Sequence, residues 1–174
     1  MPYKALIMAI LISPMIVPLI ITAAGMFFFY SQLGLTHTFT GLILAHTALG
    51  TPFVVITVTA TLTGFDTNLI RASQSLGADT LRTFFKVIMP LILPGVISGA
   101  LFAFVTSFDE VVVVLFIGSI EQVTIPKQMW AGLRQETSPV ILSMATCLVL
   151  LSIALLTTVE LLRRRSERLR GIKV

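Results

Sequence analysis

Two adjacent acidic residues, Asp109 and Glu110, interrupt a long apolar run and are the strongest candidates for chemistry in this sequence. Phe104 and Phe108 precede them, and a run of valines follows. A carboxylate inside a membrane span costs about 2.5–3.5 kcal/mol on insertion scales, so it usually faces a cavity, a partner or an ion path. We therefore expect Asp109 or Glu110, with Phe108 beside them, to face a substrate pathway. The alternative is an intersubunit hydrogen bond at the outer end of the span, where water solvates both carboxylates.

The remaining candidates for chemistry are few. His46 lies in an apolar run, and a histidine satisfied by a neighbouring helix is favoured there over a proton or substrate site. His37, His46 and Cys147 lack the spacing of metal ligands, so no metal site is predicted. The sequence has neither a nucleophile constellation nor a Gly-x-x-x-x-Gly-Lys-Ser/Thr phosphate loop. We do not expect this chain to be an enzyme.

The elements that position these residues are membrane spans. The chain has 174 residues, of which 56% are hydrophobic and 11% charged, and its mean hydropathy is +0.99. Soluble domains carry about a quarter charged residues, so this chain lacks the polar coat of a soluble protein. We predict an all-α polytopic bundle, a single transmembrane domain over residues 1–174. Its spans are expected at about 5–30, 39–62, 87–117 and 140–162.

The distribution of basic residues predicts the orientation of the chain. Ten of the twelve Lys and Arg residues fall on one side: Lys4, three in the loop 64–86 and six in the C-terminal tail. By the positive-inside rule, both ends of this chain are cytoplasmic. The tail is read as a topology signal and a contact for anionic lipid, and no nucleic acid is expected as a partner despite a pI near 9.7.

The cytoplasmic loop 64–86 is too patterned for a passive connection. Asp66 and Asp79 are candidate helix caps, and Gly77 stands where a C′ glycine would end a helix over Thr67–Leu76. The pattern predicts a helix, a glycine turn and a second helix. The small side chains of the first helix suit docking into a cleft on a cytoplasmic partner, and a helix lying on the lipid headgroups is the equal alternative.

At this loop the sequence resembles the membrane subunits of bacterial binding-protein-dependent ABC importers. Their cytoplasmic loop reads Glu-Ala-Ala, three residues, Gly, nine residues, Ile, one residue, Leu-Pro. Ala72, Gly77 and Pro90 match this spacing, whereas Arg71 replaces the glutamate and Ser73 the second alanine. The departure at Arg71 reverses a charge on the docking face. The resemblance assigns ATPase coupling to Arg71, Ala72, Ser73, Leu76, Gly77, Ala78 and Pro90.

Beyond the loop, the segments SPMIVPLII, TPFVVITV and PGVISGALFAFVTSFDEVVVVLFI are similar to permeases of the spermidine/putrescine type. The resemblance implies a multi-pass subunit of an ATP-driven importer in the bacterial inner membrane. Its implied partners are two ATP-binding cassette subunits, a second permease subunit and an extracytoplasmic substrate-binding protein. It implies no cofactor in this chain, because ATP and Mg would be bound by the partner subunits. Carboxylates beside aromatic rings would attract a polyamine by charge neutralisation and cation–π contacts.

Two alternatives stay open at this point. A polyamine is the leading cargo, and the nearest alternative is the same type of permease for iron(III), sulfate or thiosulfate, because the loop reports on the ATPase and not on the cargo. A fragment of an ion-gradient secondary transporter would show a paired inverted repeat and a broken helix in each half, neither of which is evident. Permeases of the resembled type usually have six spans, so the resemblance also implies that N-terminal spans are absent from this chain.

Overall fold

The computed structural model describes residues 3–135 and 139–169, which form helices joined by turns. In chain order these are α1 (Lys4–Ile16), α2 (Leu19–Gln32), α3 (Phe39–Thr63), α4 (Asn68–Ser75), α5 (Thr80–Thr83), a π-helical turn (Phe84–Ile88), α6 (Met89–Phe108), α7 (Val112–Ile117), α8 (Ile125–Gln135) and α9 (Pro139–Leu169). No strand occurs in the described ranges, and the prediction of an all-α membrane protein is confirmed.

Among the described residues, three helical segments are long and apolar enough to cross a membrane alone: Phe39–Thr63, Thr80–Phe108 and Pro139–Thr158. We predicted a further span over 5–30 with a kinked helix. The structure has two helices there, α1 and α2, bent by 110°, and the pair counts as a fourth span if it crosses the membrane as one broken span. Val17 adopts an extended conformation before Pro18, which has no backbone N–H to continue the helix. The chain therefore turns a corner here, with α1 packed on α3 and α2 on α7.

The tightest helix pair is α3 with α6, which pack through small residues. A Cβ atom added at Gly50 would lie 2.9 Å from the Cβ of Ala103, and one added at Gly99 would lie 2.8 Å from the Cα of Val54. Gly95 is equally close to Thr61. Residues 95, 99 and 103 are four apart and lie on one face of α6, so the two backbones approach closely, as membrane helices with small-residue interfaces do.

We predicted one span over 87–117, and the structure has two separate helical segments there, Thr80–Phe108 and Val112–Ile117. The first segment begins earlier, at Thr80, and continues through the π-helical turn, where the Met89 amide donates to the Phe84 carbonyl oxygen. Pro90 follows that turn, and a proline inside a helix removes one regular hydrogen bond. The helix then ends at Phe108, and α7 is a separate helix after the acidic pair. Periodicity alone did not show this second break.

The short helix α7 lies at the centre of the hydrophobic core although it has only six residues. The backbone N–H of His37, in the turn before α3, donates to the Ile117 carbonyl oxygen over 2.8 Å. His37 has a positive φ of 60°, which lets the turn close over the end of α7. The buried core residues are Ala23, Tyr30, Leu42, Ala45, Leu49, Val113, Val114 and Ile117.

The last two helices lie at the periphery. The amphipathic helix α8 packs against α9. The membrane-crossing window of α9 buries none of its residues within this chain. Arg170 and Lys173 of the basic tail lie outside the described residues, as do the side chains of 162–169.

Candidate substrate pathway and coupling loop

A cavity of about 660 Å³ lies at the corner between α1 and α2. The corner residues 14–19 form one wall, Leu49 and Phe53 of α3 form another, and Asp109 closes it at the end of α6. Asp109 is exposed. An exposed carboxylate bordered by apolar walls is an arrangement that attracts a cation from water.

Glu110 borders the same cavity, but its carboxylate is engaged by the backbone. It is 5% exposed and accepts hydrogen bonds from the amide of Val113, at 2.9 and 3.0 Å, and from that of Val114, at 3.3 Å. These amides belong to the first turn of α7, whose N–H groups have no partner within the helix. Glu110 therefore caps α7, and Asp109 is the acid left available to a ligand.

The aromatic candidate Phe108 does not border this cavity. Its ring stacks on Phe104, with centroids 5.6 Å apart and planes at 24°. The aromatic ring that does line the cavity is Phe53, on α3, which in turn stacks on Phe102. We did not single out Phe53 from the sequence, because nothing local distinguishes it from the other apolar residues of its span.

His46 is satisfied by a neighbouring helix, as the sequence favoured. Its Nδ1 atom lies 2.9 Å from the hydroxyl oxygen of Ser107 on α6. Ser107 was missed, although it continues the four-residue spacing of Gly95, Gly99 and Ala103 and thus lies on the face of α6 that meets α3. That spacing was the available signal.

The loop forms the predicted helix, glycine turn and helix. Gly77 has a φ of +83°, its N–H donates to the Gln74 carbonyl oxygen, and the Ala78 N–H donates to that of Ser73. This pair of bonds is the Schellman ending of a helix. Asp79 caps α5 as predicted, because it accepts from the Arg82 amide at 2.8 Å. Asp66 lies one residue before the N-cap of α4, Thr67, and accepts from the Asn68 amide at 2.9 Å.

The coupling candidates divide between two faces of α4. Arg71, Ala72 and Leu76 are exposed, and Leu76 is the most open of them at 89%. Ser73 faces the opposite way, and its hydroxyl lies 2.8 Å from that of Thr83, which is 2% exposed. This bond joins α4 to α5 and was not predicted. Pro90 lies apart from this pair, beyond the π-helical turn.

The loop and the cavity are joined by one continuous helical segment. The 29 residues Thr80–Phe108 begin beside α4 and end one residue before Asp109, a length of about 43 Å at 1.5 Å per residue. Apolar helices of this length, joined by a structured loop, are the architecture of a polytopic membrane protein.

The comparison with known families agrees with this class. The chain belongs to the family described as binding-protein-dependent transport system inner membrane component, which matches residues 2–168. It is thus a multi-pass inner membrane component of a transport system.

The names of individual relatives give a class of transported compound. The spermidine/putrescine transport system permease protein PotC of Haemophilus influenzae is 31% identical over 164 residues, which cover 94% of this chain and 64% of that protein. The putrescine transport system permease protein PotI of Escherichia coli K12 is 32% identical over 106 residues, 61% of this chain and 38% of that protein. The osmoprotective compounds uptake permease protein GgtD of Synechocystis is 34% identical over 114 residues, 66% of this chain and 38% of that protein. The chain therefore spans less than two thirds of the length of these relatives.

Proposed function

We propose that this chain is a permease subunit of an ATP-driven importer and forms part of the pathway for a polyamine. The names of the PotC and PotI relatives support this cargo. The observation that carries the proposal is Asp109, an exposed carboxylate that borders a cavity with apolar walls. A polyamine combines ammonium groups with methylene segments, and this cavity offers a counter-charge for the first and apolar surface for the second.

The other end of Thr80–Phe108 supports coupling to ATP hydrolysis. The exposed face of α4, formed by Arg71, Ala72 and Leu76, would seat in a groove of an ATP-binding cassette subunit. Two such subunits would bind ATP and Mg, and their closure would tilt the helices of this chain about the cavity. Ser73, Gly77 and Ala78 hold the angle of α4, because they make or flank its C-terminal hydrogen bonds.

The remaining partners follow from this arrangement. With the loop and both ends of the chain on the cytoplasmic side, the segment Gly118–Thr124 faces outward, toward an extracytoplasmic substrate-binding protein. A second permease subunit would complete the pathway. The uncovered surface of α9 is available to that subunit or to lipid.

A second cargo class is favoured by the relative named for osmoprotective compounds. Such solutes are commonly neutral, and a neutral solute would not require a carboxylate in the pathway. The two candidate cargo classes can be distinguished by which unlabelled solutes inhibit uptake. We expect uptake of labelled putrescine by the complete importer to be inhibited by unlabelled spermidine and not by sucrose, a neutral osmolyte. Inhibition by sucrose alone, or transport of labelled sucrose without putrescine, would contradict the polyamine proposal.

A further inference from the structure

Asp109 is held in place by tethers on both sides along the chain. Its own N–H donates to the Val105 carbonyl oxygen over 3.1 Å and so ends α6. One residue later, Glu110 is bound to the first amides of α7. Two residues earlier, Ser107 is bound to His46 of α3. The exposed carboxylate thus lies between a bond to α3 and a bond to α7.

The hydrogen bond between His46 and Ser107 is not needed to hold α3 and α6 together. The α3–α6 pair already packs closely at Gly50, Gly95 and Gly99. His46 lies one turn from Leu49 and two turns from Phe53, which line the cavity from α3. A bond from this part of α3 to the last turn of α6 therefore fixes the distance between the apolar wall and the carboxylate opposite.

His46 does not border the cavity that holds Asp109. With Ser107 it lines a separate groove of about 740 Å³ between α3 and α6, and the two cavities share no lining residue. His46 is therefore not placed to contact a cargo in the cavity that Asp109 borders.

We infer that His46 is a positioning residue for Asp109, and that it acts through the hydrogen bond between its Nδ1 atom and the Ser107 hydroxyl. The inference rests on the proposed function, because it assigns to Asp109 the binding of a cationic cargo. It goes further by naming a residue on another helix that sets the affinity of the site without touching the cargo there.

Two substitutions test which ring nitrogen of His46 carries the positioning role. Asn carries its amide atoms on Cγ, where His carries Nδ1, whereas Gln carries them one bond further out, near the position of Nε2. We expect His46→Asn to keep the apparent KM for labelled putrescine, and His46→Gln and Ser107→Ala to raise it by about three- to tenfold, the range of one interhelical hydrogen bond in a membrane. The maximal uptake rate per transporter should change less than KM.

A matched control is Thr47→Val, in the same groove. The Thr47 hydroxyl donates to the Ile43 carbonyl oxygen of its own helix, so its loss should leave KM unchanged. Equal KM values for wild type, His46→Gln and Ser107→Ala, or rescue by Gln and not by Asn, would overturn the inference.

Coupling to Asp109 is tested in a double variant. If His46 acts through Asp109, His46→Gln should raise KM no further in an Asp109→Asn background. Full additivity of the two effects would overturn the inference even if each single variant were impaired. If Asp109→Asn alone leaves KM unchanged, the proposed function of Asp109 fails. If Asp109→Asn raises KM and His46→Gln does not, only the positioning role fails.

Discussion

The carboxylate of Glu110 lies 2.9 Å from the backbone nitrogen of Val113, so this acid closes the first turn of α7. Its neighbour Asp109 is exposed at the cavity between α1 and α2. Two adjacent residues of the same charge therefore have different roles: Glu110 caps the core helix α7, and Asp109 exposes its carboxylate to the cavity.

The capping role predicts how Glu110 tolerates substitution. Glu110→Ala leaves buried amides of α7 without a partner, which we expect to cost about 1–3 kcal/mol in stability. Glu110→Gln keeps one acceptor oxygen and should cost less. Thermal unfolding of the purified transporter measures both. Equal midpoints for wild type and Glu110→Ala would contradict the capping role.

The glycine turn predicts a coupling defect. Gly77 has a φ of +83°, so Gly77→Val should strain the turn by about 1–2 kcal/mol and reorient α4. We expect the protein to reach the membrane while ATP hydrolysis no longer drives uptake. The ratio of labelled putrescine taken up to ATP hydrolysed measures this.

Gly64 provides the control for this experiment. It is the first residue of the same loop, has a negative φ of −89°, and a Cβ added to it would meet no atom within 4 Å. Gly64→Ala should leave the ratio unchanged. A normal ratio for Gly77→Val would contradict the assignment of α4 as the coupling helix.

The bond between Ser73 and Thr83 predicts that removing one hydroxyl destabilises the protein more than removing the other. Ser73→Ala leaves the buried Thr83 hydroxyl without its partner, whereas Thr83→Val leaves Ser73 its second bond, to the Ile70 carbonyl oxygen at 3.0 Å. We expect Ser73→Ala to destabilise the protein more, by about 1–3 kcal/mol. Chemical denaturation of the two variants measures the order, and the reverse order would show that the bond does not join α4 to α5.

The α3–α6 contact predicts a packing defect. Gly99→Leu places a side chain where even a Cβ would lie 2.8 Å from the Val54 Cα, so the helices must separate. Overpacking of this kind costs about 1–3 kcal/mol. Gly25→Leu on α2 is the control, because no atom lies within 4 Å of its added Cβ. A lowered unfolding temperature for Gly99→Leu alone is expected, and equal temperatures would argue against the close approach.

What the sequence predicted correctly was governed by local rules. The ending of α4 at Gly77 and the cap at Asp79 depend on residues within four positions, so spacing was sufficient. The corner at Pro18 was underestimated, because a proline permits anything from a kink to a break and the choice depends on α3 and α7. The role of Phe53 depends on which helices meet, and no pattern within its own run contains that information. Ser107 could have been found from the four-residue spacing that it shares with Gly95, Gly99 and Ala103. Glu110 binds amides only three and four residues ahead, but its capping role was missed because the break before α7 was not predicted.

The central claim is that Asp109 supplies the counter-charge for a cationic cargo. The most direct measurement is the concentration dependence of labelled putrescine uptake by the complete importer carrying Asp109→Asn, beside Glu110→Gln and wild type. We predict that Asp109→Asn raises the apparent KM by about tenfold or more, as expected for the loss of one charged contact of at least 1.4 kcal/mol, and that Glu110→Gln raises it less. An unchanged KM for Asp109→Asn, at a normal level of protein in the membrane, would contradict the account.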